Sequence, residues 1–252
     1  MHFKKKVIMQ AFIPAAGIGS RLKPLTDYCP KALIEIGGKT LLEIAIDKLA
    51  GLGAKRIVVN VHHHANMMLD FIQQHHWPTE VLISDESDQL MDTGGGLKKA
   101  ANFFFSNEPI LIHNVDILSA IDLKQLEKQH SDSKSIATLA VSQRNSSRKL
   151  LFNKQNQLVG WRNDTTGETK WSMQTEKDTC SLSFSGISIV DPLLISLLPT
   201  ANKPYPIIPA YLEIAKNHRI SYFKHDSKSW LDVGKPETLA QAQHFLSQTI
   251  NK

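Results

Sequence analysis

Cysteine and long apolar runs are both scarce in this chain. Among its 252 residues, only Cys29 and Cys180 are cysteines. They are too few for a disulfide framework, and neither has a second cysteine at a metal-binding spacing. We therefore expect a reducing location, the cytoplasm. No apolar segment is long enough to span a membrane, so a membrane is not an expected partner.

A large excess of charge of one sign is also missing. The formal net charge is +5 and charged residues make up 21% of the chain, as in ordinary globular proteins. The sequence contains no basic stripe interleaved with aromatic residues, so nucleic acid is not an expected partner either. The modest positive balance suits small anionic substrates.

The first residues resemble a signal peptide only in part. Lysines at positions 4–6 precede an apolar run, which is the order that a secretion signal requires. However, this run is short and contains Gln10, and its small-residue end coincides with the loop motif described below. We predict a basic lead-in followed by a strand over residues 7–14.

Apolar periodicity alternates between strand and helix patterns in the first half of the chain. It predicts strands at residues 7–14, 56–61, 80–84 and 110–113, and helices at 40–52, 66–75 and 97–105. This order is typical of an α/β fold with a Rossmann-like, mostly parallel central sheet and helices on both faces. Ligands of such sheets bind at the carboxyl ends of the strands.

The second half is richer in strand patterns and is expected to form a small β-rich part. The patterns predict strands at 135–143, 149–152, 158–161, 181–190 and 220–223, and helices at 193–198, 207–217 and after Pro236. The polar stretch 163–179 is typical of an irregular loop. We predict a single domain over residues 1–252.

One loop, at residues 15–31, reads AAGIGSRLKPLTDYCPK and follows the first predicted strand. Gly17 and Gly19 allow the backbone to approach a ligand closely, and Arg21 and Lys31 bring two cations to the same place. Exposed backbone N–H groups together with fixed cations are typical of a polyphosphate site.

Two common phosphate loops do not fit these residues. The chain has no Gly-Lys-Ser/Thr triplet after four spacer residues, so this is not a P-loop. A dinucleotide-binding fingerprint needs a small residue three positions after Gly19, where Leu22 stands. That mismatch weighs against an NAD-dependent oxidoreductase. Lys23 is expected to be a solvated surface residue.

The whole loop matches the pattern G-x-G-x-R-x-x-P-L-T-x-x-x-P-K and resembles the sugar-1-phosphate nucleotidyltransferases, which share a GT-A-like nucleotide-diphospho-sugar transferase fold. The resemblance implies a nucleoside triphosphate and a sugar 1-phosphate as partners, with an NDP-sugar and pyrophosphate as products. It implies catalytic roles for Arg21 and Lys31, which hold the triphosphate. It also implies nucleotide contacts at the small residues of the loop, namely Ala15, Ala16, Gly17 and Gly19.

Two aspartates are expected to hold a metal. Asp116 follows an apolar strand, and Asp232 lies in the segment WLDVG. Taken singly, each is typical of a cap or a turn. The resemblance implies that together they bind Mg²⁺, the expected cofactor, which combines one or two carboxylates with substrate phosphates. Adjacent histidines at 62–64 point to different sides, so we do not expect a zinc site there.

The segment LMDTGGG at residues 90–96 resembles the family's base-contacting segment and precedes a predicted helix. The resemblance assigns nucleotide contacts to Thr93 and Gly94, and less strongly to Glu86. Asp92 stands where a glycine is more usual. This pattern is similar to that of a subgroup containing N-acetylmuramate-1-phosphate uridylyltransferases and mannose-1-phosphate guanylyltransferases.

The sugar side of the site is less specific. The strand containing Ser185 and Gly186 resembles the family's sugar-facing segment, with Asn114 near the sugar, although Gly186 equally fits a bulge in a core strand. The family's E-K-P segment, whose lysine binds the sugar phosphate, has no match between residues 143 and 179. That contact is therefore absent or comes from another cation, and the candidates are Arg144, Arg148 and Arg162.

These observations lead to one preferred function and several open alternatives. Residues 1–120 are expected to bind mainly the nucleotide, and 121–252 to supply the sugar-binding part and the second metal ligand. UTP with N-acetylmuramate 1-phosphate is the first candidate pair. GTP with mannose 1-phosphate, CTP with phosphocholine, and a non-catalytic nucleotide-sugar sensor remain as alternatives. A monomer and a small homo-oligomer are both compatible with the sequence.

Overall fold

The structure, a computed structural model, describes residues 10–173, 178–200 and 202–250. The strands in these residues are β1 (Gln10–Pro14), β2 (Glu35–Ile36), β3 (Lys39–Thr40), β4 (Arg56–Val61), β5 (Glu80–Asp85), β6 (Ile110–His113), β7 (Ile117–Ser119), β8 (Ala137–Ser142), β9 (Arg148–Phe152), β10 (Leu158–Asn163), β11 (Thr169–Trp171), β12 (Cys180–Val190), β13 (Ile220–Lys224) and β14 (Trp230–Asp232). The α-helices are α1 (Leu25–Tyr28), α2 (Leu41–Gly51), α3 (Ala65–Gln74), α4 (Asp92–Lys99), α5 (Leu123–Ser133), α6 (Pro192–Leu197), α7 (Ile207–Ile214) and α8 (Pro236–Ile250).

A ten-stranded mixed sheet organises these elements. Strand β1 is parallel to β4 and β6, and β4 is parallel to β5. The long strand β12 joins the second half to this core by pairing antiparallel with β6, and it also pairs with β8 and β9. Strands β9, β10 and β11 extend the sheet as an antiparallel meander, while β13 lies parallel to β8.

Two apolar cores flank the sheet, one on each face. Ala11 and Ile13 of β1 point into the core that contacts α2, α3, α5 and α8, whereas Phe12 points into the core that contacts α4, α6 and α7. This alternation is the two-residue period of a strand buried on both sides. The predicted α/β architecture, a mostly parallel central sheet with helices on both faces, is therefore confirmed.

The predicted helix at 40–52 is confirmed because its signals are local. Thr40 forms a capping box with Glu43: the Thr40 hydroxyl accepts from Glu43 N at 3.1 Å, and the Glu43 carboxylate accepts from Thr40 N at 2.7 Å. Such reciprocal bonds satisfy backbone groups that the first helical turn leaves free. The buried side of α2 carries Leu41, Leu42, Ala45, Ile46 and Leu49.

Several elements differ from the sequence-based expectation. Helix α4 begins at Asp92 and includes the three glycines, five residues before the predicted start at 97. The stretch 163–179 contains the short strand β11, paired antiparallel with β10, instead of being irregular over its described length. Helix α5, which Asp122 caps by accepting from Gln125 N, was not predicted at all. Residues 7–9 of the first predicted strand and 174–177 of the predicted loop lie outside the described residues.

No helix in the described part of the chain is both long enough and apolar enough to cross a membrane.

The buried histidine of β6 gives a prediction for stability. His113 is 1% exposed, and burial lowers its pKa to about 3 from an ordinary value of 6.5. The folded state therefore keeps a neutral ring where the unfolded chain takes up a proton. We expect the free energy of unfolding to fall by about 1.4 kcal/mol per pH unit below pH 6.5 because of this group.

Urea unfolding between pH 7.5 and 5 would measure this effect in the wild type and in His113→Asn, which keeps a donor near the Nδ1 position but does not titrate. The difference in slope between the two proteins isolates His113 from the other histidines. Parallel pH profiles would contradict the prediction.

Candidate active site

The glycine-containing loop leaves β1 at the carboxyl edge of the sheet and turns back at Gly19. Gly19 has φ of 69°, in the left-handed region, and a Cβ there would lie 2.8 Å from Cγ2 of Thr26. Its carbonyl oxygen accepts from Leu22 N at 2.8 Å and from the Thr26 hydroxyl at 3.0 Å. A glycine is therefore required at this turn. Gly17, by contrast, faces open space.

Asn60, the second-last residue of β4, holds the start of this loop. Its side-chain oxygen accepts from Ala15 N at 2.7 Å and from Ala16 N at 3.2 Å. Its amide nitrogen donates to Oε1 of Glu86 at 2.7 Å. The two loop N–H groups are thus used within the protein, so Ala15 and Ala16 shape the site through their backbone position.

Glu86 completes this network from behind the loop. It is fully buried, and its second oxygen accepts from Met91 N at 2.9 Å, at the start of α4. Burial raises the pKa of the Glu86 carboxyl, and its two hydrogen bonds oppose that shift. Glu86 is not part of the cavity lining described next.

A cavity of about 560 Å³ opens at the carboxyl ends of β1, β4 and β6. It collects most of the residues that the sequence assigned to the nucleotide, the catalysis and the first metal ligand: Ala15, Ala16, Gly17, Gly19, Arg21, Lys31, Thr93 and Asp116. Asn114, assigned to the sugar, also lines it. Asn60, Asp92 and Pro204 also line it. We refer to it as the loop cavity.

Cations and carboxylates converge at one side of the loop cavity. The Lys31 ammonium forms an ion pair with Oδ2 of Asp116. A Cβ placed on Gly234 would lie 2.6 Å from Nη2 of Arg21, 2.7 Å from Oδ1 of Asp232 and 3.0 Å from Nζ of Lys31. Both predicted cations and Asp232 therefore surround the same point, which only a residue without a side chain leaves open, and Asp116 is joined to it through its ion pair with Lys31.

A two-stranded ribbon brings the distant Asp232 to this point. Strand β14 pairs antiparallel with β7 so that Asp232 lies opposite Ile117, and Val233 N donates to the carbonyl oxygen of Asp116 at 2.9 Å. The Asp232 carboxylate also accepts from Gly234 N at 2.7 Å. The backbone ladder, not a side-chain contact, holds the two aspartates together.

This pair fits the donor set that Mg²⁺ takes at phosphate sites, one or two carboxylates completed by substrate oxygens and water. It does not fit a closed protein cage, since the described residues contain no group of three or more His, Cys, Asp or Glu side chains that could hold a metal. The rings of His63 and His64 lie 4.1 Å apart, but no third ligand joins them in the described part of the chain. His62 Nδ1 instead lies 2.7 Å from Glu86 O, and His63 Nε2 lies 3.1 Å from Thr26 O.

The two predicted residues of the base-contacting segment occupy different places. Thr93 lines the loop cavity, and its hydroxyl accepts from Ile207 N at 3.1 Å. Gly94 does not line it: its N–H donates to Tyr205 O at 3.0 Å, and a Cβ there would lie 2.5 Å from the Tyr205 ring. In this structure Gly94 serves close packing between α4 and the chain before α7.

Among the three predicted sugar contacts, only Asn114 lines the loop cavity. Ser185 is fully buried and lies 2.8 Å from Nε2 of His225. Gly186 has φ of 71° within an irregular stretch of β12, and a Cβ there would lie 3.1 Å from Nδ2 of Asn114. The geometry matches the bulge interpretation of Gly186, which makes room for Asn114.

A second cavity, of about 940 Å³, shares Arg21 with the loop cavity and receives Asp232, Trp161, Trp230 and Arg144; we call it the arginine cavity. The Arg144 guanidinium lies 4.0 Å above the Trp230 ring and donates to Phe184 O at 2.6 Å. Burial lowers the pKa of Arg144, while the nearby Asp232 carboxylate raises it. Arg148 also lines this cavity, whereas Arg162 does not and pairs with Asp164 at 2.6 Å.

Sequence reasoning missed Asn60, Trp161 and Trp230. Asn60 could have been found from its place at the end of a predicted central strand, where ligand-site residues concentrate. The two tryptophans gave no such signal, because β10 and β14 belong to different sheets and only the tertiary fold brings them to the same cavity.

Known proteins resemble this chain in sequence and in fold. A family model described as nucleotidyl transferase matches residues 10–150. The N-acetylmuramate alpha-1-phosphate uridylyltransferase of Caulobacter vibrioides is 37% identical over 113 residues, which are 42% of this chain and 45% of that protein. The mannose-1-phosphate guanyltransferase of Yarrowia lipolytica is 26% identical over 258 residues, covering 97% of this chain and 66% of that protein.

A solved structure extends the likeness to nearly the whole fold. HddC from Yersinia pseudotuberculosis superposes with a TM-score of 0.74 at 19% identity, covering 95% of this chain and 100% of that chain. At this identity the likeness concerns the fold. The matched stretches span less than two thirds of the length of the two curated relatives above.

The Asn60–Glu86 network gives a prediction about helix α4. A Cβ on Gly96 would lie 2.6 Å from Oε1 of Glu86 and 2.7 Å from Nδ2 of Asn60. Gly96→Ala should therefore separate these groups and lower the free energy of unfolding by about 1–3 kcal/mol. Gly51→Ala, in α2, is the matched control, since no atom lies within 4 Å of the added Cβ. The control should be neutral or stabilising by up to about 1 kcal/mol.

Urea unfolding of both variants would test this prediction. Equal effects of the two substitutions would mean that the close approach of α4 to Glu86 does not contribute to the free energy of unfolding.

Proposed function

This chain belongs to the nucleotidyl transferase family, and from that premise we propose that it is a sugar-1-phosphate nucleotidyltransferase. It joins a nucleoside triphosphate to a sugar 1-phosphate and releases an NDP-sugar and pyrophosphate. The observation that carries the proposal is the convergence of Arg21, Lys31 and Asp232 around Gly234, with Asp116 paired to Lys31. This arrangement suits a reaction in which several phosphates meet.

The proposed reaction requires little covalent chemistry from the protein. An oxygen of the sugar phosphate attacks the α-phosphorus in line, and the bond to the leaving pyrophosphate breaks. Since the second pKa of a phosphate ester is about 6, the attacking group is already largely dianionic near neutral pH. No general base is needed, and the chain contributes positioning and charge stabilisation.

In this proposal Arg21 and Lys31 are the catalytic residues. Arg21 lines both cavities, so its guanidinium can bind phosphate oxygens of either substrate through its forked donors. Lys31 has a largely buried side chain, which places a fixed positive charge where water screens it little. Both charges oppose the negative charge that accumulates as the phosphates approach.

Asp116 and Asp232 are the proposed Mg²⁺ ligands. When bound there, Mg²⁺ supplies neutralisation of charge on the reacting phosphates and helps to align them. The two aspartates themselves keep their relative position through the β7–β14 ladder.

We assign the nucleotide mainly to residues 1–120 and the acceptor mainly to 121–252, within one domain. Thr93 and Gly94 stay proposed for the nucleotide side, Gly94 by supporting the segment that carries Thr93. Asn114, Ser185 and Gly186 stay proposed for the sugar side.

UTP with N-acetylmuramate 1-phosphate is the first candidate pair, in keeping with the name of the Caulobacter relative. GTP with mannose 1-phosphate is the second, supported by the name of the Yarrowia relative. A cytoplasmic location and a monomer or small homo-oligomer complete the proposal.

A substrate panel is the direct test. Pyrophosphate release is measured with ATP, CTP, GTP, UTP and dTTP, each against phosphocholine and against N-acetylmuramate, mannose and glucose 1-phosphates, in the presence of Mg²⁺. Turnover with one pair would identify the reaction and its substrates together. Nucleotide binding without turnover would favour the sensor alternative, and turnover with CTP and phosphocholine would move the acceptor outside the sugars.

Removal of a proposed catalytic charge should abolish turnover while the fold persists. We expect Arg21→Ala and Asp116→Asn each to lower kcat by roughly two to three orders of magnitude, as is typical when one charge-stabilising group is lost. Lys23→Ala is the matched control, because Lys23 is an exposed residue of the same loop whose ammonium pairs with Asp27. Near-normal kcat in either site variant would refute the assignment.

Metal removal should stop the reaction reversibly. We expect EDTA to abolish pyrophosphate release and added Mg²⁺ to restore it. Asp232→Asn should require a higher Mg²⁺ concentration for half-maximal activity, since the ion then has one carboxylate fewer. Full activity in excess EDTA would exclude the proposed role of this aspartate pair.

A further inference from the structure

The arginine cavity carries a strong imbalance of charge. Its lining includes five cationic side chains and a single carboxylate, that of Asp232: the cations are Arg21, Arg144, Arg148, Lys149 and Lys235. The loop cavity is different, because there two cations, Arg21 and Lys31, accompany the carboxylates of Asp92 and Asp116. A positive charge excess confined to one cavity indicates that the molecule bound in this cavity is anionic.

Within the described residues, Arg144, Arg148 and Lys149 form no ion pair, and only Arg144 has a carboxylate nearby, that of Asp232. The Lys149 ammonium donates to Arg144 O at 2.6 Å and to the Ser183 hydroxyl at 3.0 Å, both uncharged. Arg144 donates to carbonyl and hydroxyl groups only. Arg148 is exposed at the first position of β9. Their combined positive charge is therefore available to a ligand.

The walls of the cavity suit a sugar ring beside these cations. Trp230 is held rigidly, because its Nε1 donates to Ser185 O at 2.7 Å and its face stacks with Arg144. Trp161 and Phe184 add further aromatic surface. An apolar wall combined with a few placed polar groups is the usual composition of a small-molecule site.

A single phosphate does not account for this many cations. The 1-phosphate of the acceptor must reach Arg21 and the aspartate pair, where the transfer takes place. Once it lies there, Arg144, Arg148 and Lys149 face the rest of the acceptor. A neutral sugar gives these groups nothing to neutralise, whereas a second anion on the sugar forms charge-assisted hydrogen bonds with them.

We propose that the acceptor is a sugar 1-phosphate that carries a second anionic group, a carboxylate, and that Arg148 and Lys149 bind this carboxylate in the arginine cavity. The inference rests on the proposed nucleotidyl transfer and makes its acceptor more specific. N-acetylmuramate 1-phosphate, with a lactyl carboxylate, belongs to this class, and mannose 1-phosphate does not.

Acceptors with and without a carboxylate test the proposal on the full chain. N-acetylmuramate 1-phosphate is compared with N-acetylglucosamine 1-phosphate, and glucuronate 1-phosphate with glucose 1-phosphate. Glucose 1,6-bisphosphate serves as the acceptor whose second anion is a phosphate. The expected result is a kcat/KM roughly ten- to a hundredfold higher for a carboxylate-bearing acceptor than for its neutral counterpart, the range for one charged hydrogen bond.

Variants of Arg148 assign the preference to the cavity. In Arg148→Gln the ratio of kcat/KM between acidic and neutral acceptor should fall about tenfold, and in Arg148→Lys most of the ratio should persist because the charge is retained. Lys154→Gln is the matched control. It removes the same charge at the opposite end of the same hairpin, where Lys154 pairs with Asp178 at 2.9 Å, and should leave the ratio unchanged.

The outcomes separate this inference from the proposed function. Turnover with no preference for an acidic acceptor would overturn the inference while nucleotidyl transfer stands. A preference that survives Arg148→Gln and Lys149→Gln would overturn the assignment of these two residues. A stronger preference for the bisphosphate would overturn the identification of the second anion as a carboxylate. No turnover with any nucleotide and acceptor pair would overturn the proposed function, and the inference with it.

Discussion

The candidate site depends on the position of β1 between β4 and β6, parallel to both. Parallel strands release the chain at the same edge of a sheet, so the segments that follow them meet. The glycine-containing loop follows β1, Asn60 lies near the end of β4, and Asn114 and Asp116 follow β6. Groups far apart in sequence therefore meet in one cavity because of the sheet order, before any side chain contributes a contact.

A second constraint joins the later part of the chain to that edge. The pairing of β14 with β7 sets Asp232 beside Asp116, and Trp230 anchors β14 to β12 through Ser185 O. The first link is a backbone ladder, and the second joins the indole side chain of Trp230 to a backbone carbonyl. Two carboxylates can therefore share this site because cations accompany both of them. Lys31 pairs with Asp116, and Arg21 and Lys31 lie with Asp232 around Gly234. The β7–β14 ladder fixes the backbone positions of the two aspartates.

Local signals account for what the sequence could predict. The capping box and apolar side of α2 lie within a dozen residues, and the spacing of glycines, prolines and cations in the loop after β1 is likewise contiguous. Helix α4 was predicted five residues too late because its glycines have low helix propensity. Their N–H groups at positions 94 and 95 are bound by Tyr205 O, a contact from the far end of the chain. Strand β11 is three residues long and mostly exposed, so its existence depends on pairing with β10 and not on its own pattern.

The glycine run of α4 shows that neighbouring residues of one motif can make quite different contacts. Gly94 lets the helix approach Tyr205, and Gly96 lets it approach Glu86 and Asn60. Glu86 then reaches both Asn60 and Met91 N, and Asn60 holds the start of the glycine-containing loop. These glycines bring the helix close enough to fix the loop. A loop fixed in advance loses less conformational freedom when a nucleotide binds, so residues that never touch the nucleotide can still contribute to its affinity.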